Sequence, residues 1–260
     1  MPLLLYLGLA LYLITAGAHL LLLRNGTVVR SLWSIRLLWG TVVCWLVIFA
    51  GFGLVDGWHV TSTQRWLWSS SLFLLVLPEV TKRWLDMENV TVTTTALAAL
   101  LACLGYFSDT TQTQDFAHSG TLLKLHIGLA FIGLTAFAFG AATSLLYLFQ
   151  ERALRQNPSL TLKRRMPPLV KIDLLAFRSI VFGFPFYTAA ILLGGAFAIR
   201  DASVGIAFTY WVALGSWLIY AFMLQARLVA GLRGQRAAKL TLLGLVGLLF
   251  VVGQYLVRGV

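Results

Sequence analysis

The sequence predicts an all-α, polytopic transmembrane helical bundle of eight spans with both termini extracytoplasmic. Three observations lead there. Of the 260 residues 59% are hydrophobic and only 11% charged, where an ordinary soluble chain carries about 25% charged residues; the mean hydropathy is +0.85. Apolar segments recur at about 3–23, 37–55, 66–81, 91–107, 123–150, 176–199, 206–226 and 240–257, near the length that a membrane helix needs. Finally, the connecting segments sort by charge. Sixteen of the twenty Lys and Arg follow spans one, three, five and seven, which puts those loops in the cytosol by the positive-inside rule. The whole chain, 1–260, reads as one integral membrane domain, with 1–121 holding the first four spans and 122–260 the last four.

The first segment, MPLLLYLGLALYLITAGAHLLLL, lacks a basic start and a small-residue cleavage site, so it is expected to be a retained span. His19 lies inside it towards the cytosolic end, where a polar ring is costly unless paired. Cys44 and Cys103 sit in apolar segments of different spans with no CxxC pair, so they read as small buried residues rather than redox or zinc chemistry. In span three, Glu79 precedes Lys82 and Arg83 at helical spacing. That favours an interfacial ion pair over a proton relay, for which no second intramembrane acid is available.

Span five organises the chain. Lys124 to Gln150 is free of charge after Lys124 and would reach roughly 40 Å as a helix. Its start carries His126, followed by Ala130, Gly133, Phe137, Gly140 and Ser144 at helical spacing. Small residues on one face let a second backbone approach closely in lipid, so that face should point into the bundle. The basic segment Glu151 to Ile172 reads as a stop-transfer cluster, or alternatively as a docking surface for a cytosolic partner; Pro167-Pro168 ends any helix continued from span five. The net charge of +11 belongs to the cytosolic face. Orientation and anionic lipid explain it without nucleic acid.

The four histidines are the candidate chemistry. His59 and His118 fall in outer loops and His126 at the outer mouth of span five. Imidazole is a good axial ligand for haem iron. Trp58, with Arg65, Lys124 and Arg200, could serve a porphyrin face and its propionates, although Trp and basic residues also populate membrane interfaces for other reasons. From composition alone His126 is either such a ligand or an interfacial residue capping the helix start. His59 and His118, taken singly, read as ordinary loop residues. No HExxH, no rhomboid-type Ser–His pair and no nucleotide-binding Gly-rich loop is present.

The second half resembles the cytochrome c assembly (CcsA/HemX-type) membrane protein family. The resemblance rests on Leu125-His126, the segment Leu145 to Arg152, Met166-Pro167-Pro168-Leu169, Ile172-Asp173, Phe182-Gly183-Phe184-Pro185, Gly194, and the turn Gly231-Leu232-Arg233-Gly234-Gln235-Arg236. It implies a bacterial inner-membrane protein that handles haem without being an enzyme, with His126 as axial iron ligand and His59 or His118 as a possible partner. His19, alongside Gln225, would mark an inner entry site. Other cytochrome c assembly proteins, or a cytosolic haem-synthesis enzyme, are the partners it implies. Three family features are replaced. The Trp-rich outer motif gives way to Arg200 to Gly205, a histidine in the following span to Gln225, and a second outer histidine is expected where the sequence reads Arg258-Gly259-Val260. This pattern is similar to the HemX/YpjD-like branch. For that branch the alternative expectation is a membrane regulator or scaffold acting through basic cytosolic loops, for example on glutamyl-tRNA reductase in tetrapyrrole synthesis.

Overall fold

A computed structural model describes residues 2–24, 32–56, 63–85, 90–107, 121–156, 168–200 and 208–258. They form eight α-helices: α1 Pro2–Arg24, α2 Leu32–Asp56, α3 Thr63–Leu85, α4 Val90–Phe107, α5 Thr121–Gln156, α6 Leu169–Arg200, α7 Phe208–Val229 and α8 Gln235–Arg258. One helix coincides with each apolar segment of the sequence. Four contain stretches long and apolar enough to cross a membrane: Leu122–Gln156, Leu169–Ala196, Phe208–Val229 and Gln235–Gln254. Shorter apolar stretches, Tyr6–His19, Ile35–Ile48 and Val90–Tyr106, lie in α1, α2 and α4.

The helices extend beyond the apolar segments at their charged ends. α6 starts at Leu169, immediately after Pro168, so Lys171 and Asp173 are helical rather than part of a loop. Proline cannot continue a preceding helix but is well suited to stand before a new one. α5 runs to Gln156, where Arg155 pairs with Glu151 one turn back at 2.8 Å.

The chain forms two compact units: Met1–Ser108 with Phe149–Pro168, and Asp109–Leu148 with Leu169–Val260. In the first, α1 packs on α2 and α4, and α3 packs on α4. Its interior is aromatic and hydroxylated. The rings of Tyr12, Trp45 and Trp68 meet edge-on, with centroids 5.4 and 5.1 Å apart. Tyr12 Oη hydrogen-bonds Ser71 Oγ at 3.0 Å, and Thr15 Oγ1 meets Thr41 Oγ1 at 2.8 Å. Hydroxyls on facing helices satisfy one another where water is absent. Cys44 and Cys103 are free, half-buried thiols. The Thr91 hydroxyl donates to Glu79 at 3.5 Å, so this carboxylate is engaged from α4; the Lys82 and Arg83 side chains lie outside the described residues.

In the second unit, the small face of α5 sits directly on α6. A Cβ added to Gly133 would lie 2.8 Å from Tyr187 Cβ and 3.1 Å from its Cα and N, and one at Gly140 would lie 3.1 Å from Ile180. Phe137, between these glycines, is fully buried and stacks on Tyr220 of α7 with ring centroids 4.0 Å apart. Tyr220 in turn donates to the Thr241 carbonyl of α8 at 3.3 Å. One face of α5 thus fixes its depth against α6 and, through Phe137, its contact with α7.

Candidate functional site

His126 lies in the second turn of α5, half-buried. Its Nδ1 is 2.8 Å from the carbonyl oxygen of Ala190 on α6. A carbonyl can only accept, so Nδ1 carries the proton and donates, and in the neutral ring the lone pair sits on Nε2. The ring lies across Gly194, one turn further along α6: a Cβ there would be 3.0 Å from His126 Cε1. Next to it, the Tyr210 hydroxyl of α7 packs against Gly195, where a Cβ would be 2.5 Å away. The paired glycines give α6 a surface without side chains, on which an imidazole and a phenol can both rest. The close approach that Gly133 allows two turns down α5 brings the histidine within reach of that surface.

Each of the other expected site residues that the structure describes is placed within its own unit. Lys124 is exposed on α5; two positions from His126, it points to the opposite side of the helix. Arg65 is half-buried on α3 in the first unit. His19 is also in the first unit, 7% exposed, with Nδ1 donating to the Thr15 carbonyl of its own helix at 2.8 Å. That bond supplies the pairing its burial requires. Gln225 is exposed on α7 in the second unit. His59, His118 and Trp58 lie outside the described residues.

One cluster had no role assigned from sequence. Asp173 near the start of α6 accepts two hydrogen bonds from Arg227 at the end of α7, 3.1 Å to Oδ1 and 2.6 Å to Oδ2. Its Oδ1 also accepts from the Gly234 backbone N–H at 3.2 Å, and the Arg227 guanidinium lies 4.2 Å above the Phe177 ring. The side chains are 9% and 13% exposed. A bidentate, stacked guanidinium of this kind holds geometry as well as charge. It ties the first turns of α6 to the α7–α8 turn, where Gly231 and Gly234 adopt φ of 64° and 71°, conformations that glycine tolerates without strain. The signal in the sequence was an acid, Asp173, isolated within a strongly basic stretch.

A bundle with four helices able to cross a bilayer, and with its histidine held at the end of one of them, defines a helical membrane protein. Comparison with known proteins makes this particular: the chain belongs to the cytochrome c assembly protein family, whose model matches residues 57–258. It is 27% identical over 218 residues to protein HemX of Bacillus subtilis, covering 80% of this chain and 76% of that protein. It is 30% identical over 170 residues to the cytochrome c biogenesis protein CcsA of Guillardia theta, covering 54% of this chain and 55% of that one. With CcsA of Chlamydomonas reinhardtii the identity is 30% over 141 residues, 52% of this chain and 36% of the relative. The chain therefore spans three quarters of HemX but about half or less of these CcsA proteins. No solved structure matches it.

Proposed function

We propose that this protein binds haem without being an enzyme and handles it in cytochrome c biogenesis or haem homeostasis, with His126 as an axial ligand to the iron. The observation that carries this is the Nδ1–H···O=C bond from His126 to Ala190, 2.8 Å long. Metal-ligating histidines characteristically donate their second ring N–H to a carbonyl or carboxylate, which fixes the ring and makes the ligating nitrogen more basic. The donor set suits haem better than a bare metal ion. Among the described residues no three His, Cys, Asp or Glu gather where they could hold a metal, whereas a porphyrin brings four nitrogens of its own and asks one or two ligands of the protein. When bound, haem supplies the iron and its redox chemistry; this chain supplies ligation and orientation. Membership of the family, and relatives named cytochrome c biogenesis proteins, support the same reading. His59 or His118 would complete the axial pair. His19 would mark an inner entry site.

All eight helices would span a bacterial inner membrane with both termini extracytoplasmic, an assignment supported by the placement of sixteen of the twenty Lys and Arg. Reporter fusions at Gly26, Asn89 and Asn157 should read as cytosolic and those at Asp56 and Asp115 as extracytoplasmic.

The test of the main reading is an absorption spectrum of the detergent-purified protein. A Soret band is expected, lost in His126→Ala and recovered by added imidazole. A colourless wild-type protein would overturn it. A second reading is favoured by the match to HemX over 80% of the chain: a membrane regulator acting through its basic cytosolic loops, for example on glutamyl-tRNA reductase. A colourless protein that retains that enzyme on a column would select it.

A further inference from the structure

One face of α8 changes character along its length. Arg236 and Lys239 are exposed near its start, and Arg233 is exposed in the turn just before. The same face continues with Leu243, Val246 and Phe250, exposed by 55%, 62% and 43%. At 100° per residue, positions 236, 239, 243, 246 and 250 fall within an arc of about 80°, and they run about 21 Å along the helix axis. Three cations therefore stand at one end of a continuous apolar strip, on a helix whose stretch Gln235–Gln254 is apolar and long enough to cross a membrane. The backbone of the turn that precedes α8 is anchored to α6. Asp173 accepts the Gly234 N–H at 3.2 Å, between Arg233 and Arg236 in sequence, while Arg227 occupies both of its carboxylate oxygens. Asp173 is the one acid among the described residues of this unit, and it is turned inward to this pair.

We propose that this face is a binding site for an anionic phospholipid, its phosphate on Arg233, Arg236 and Lys239 and its acyl chains along Leu243, Val246 and Phe250. Charge alone would equally suit an acidic protein. The apolar continuation decides between them, because an amphiphile with a negative head and hydrocarbon tails matches both halves of the strip, and an acidic peptide matches only one. Asp173 acts here as a positioning residue for the turn, and the inference is independent of haem.

The test uses the full chain in neutral detergent, offered equimolar phosphatidylglycerol and phosphatidylcholine, with bound lipid read by native mass spectrometry. Phosphatidylglycerol should be retained preferentially, and each removed cation should lower that preference by about fivefold. The triple change Arg233→Gln, Arg236→Gln and Lys239→Gln should abolish it; should that variant not be recovered, the single changes Arg236→Gln and Lys239→Gln read the same effect. Lys171→Gln with Arg178→Gln, exposed cations on α6, should leave it within twofold. No preference in the wild type, or equal losses from the α6 pair and the α8 triple, would overturn the site. Displacement of the lipid by millimolar inorganic phosphate would also overturn it, in favour of a soluble anion.

Discussion

Replacing Gly194 by alanine tests the histidine site without touching the histidine. The new Cβ would stand 3.0 Å from His126 Cε1 and 3.6 Å from Nδ1. Ordinary contact begins at 3.4 Å, so the ring must retreat by about 0.4 Å, being a rigid plane with no flexible end to fold away. Its Nδ1–H bond to Ala190 is 2.8 Å long. A retreat of that size along the bond brings it to about 3.2 Å, the outer limit of a good N–H···O bond. Removing the orienting partner of a metal-ligating histidine typically costs 10–100-fold in affinity; stretching the bond to its outer limit should cost less, and haem titration of Gly194→Ala followed at the Soret band should show a loss approaching about tenfold. Gly215→Ala in α7 is the control, since nothing lies within 4 Å of its added Cβ, and it should bind haem as the wild type does. If Gly194→Ala binds haem with unchanged affinity and band position, the carbonyl-anchored imidazole is not what holds the iron.

Asp173→Ala leaves the 9%-exposed Arg227 side chain without its carboxylate, and thermal unfolding in detergent should show destabilisation by about 3 kcal/mol. The double change Asp173→Leu with Arg227→Met should cost less than either single change. At the α7–α8 turn, Gly234→Ala combines a φ of 71° with a Cβ 2.9 Å from the Tyr147 hydroxyl, while Gly231→Ala has a φ of 64° and open space. Both should destabilise by about 1–2 kcal/mol from backbone strain, with Gly234 the worse on the same assay. Gly133→Ala drives a Cβ to 2.8 Å from Tyr187 Cβ and 3.1 Å from its backbone. It should cost about 1–3 kcal/mol and weaken haem binding through the shifted α5.

The helices themselves were legible because lipid leaves a sequence few options: every backbone group must be satisfied within the segment, so apolar runs become helices. The small face of α5 was legible for a similar reason, as Gly133 and Gly140 recur at helical spacing and the structure places both against α6. The start of α6 was not. Lys171 and Asp173 look like loop in a reading that equates charge with the end of a span, yet they lie in the helix, where Asp173 finds a partner in Arg227. His19 illustrates the opposite limit. Its burial was expected, but the bond that satisfies it comes from its own helix rather than from a neighbouring span, and no pattern in the residues distinguishes the two.

By itself the sequence determined that this is a helical membrane protein, where its helices lie, and which face of α5 is packed, because those properties follow from local composition and period. Only the tertiary structure decided which nitrogen of His126 carries the proton and where Asp173 finds its counter-charge. Those bonds join residues 64 and 54 positions apart. Contacts across such separations depend on how helices approach one another, which is set by the sum of all their packed faces rather than by the residues that finally meet.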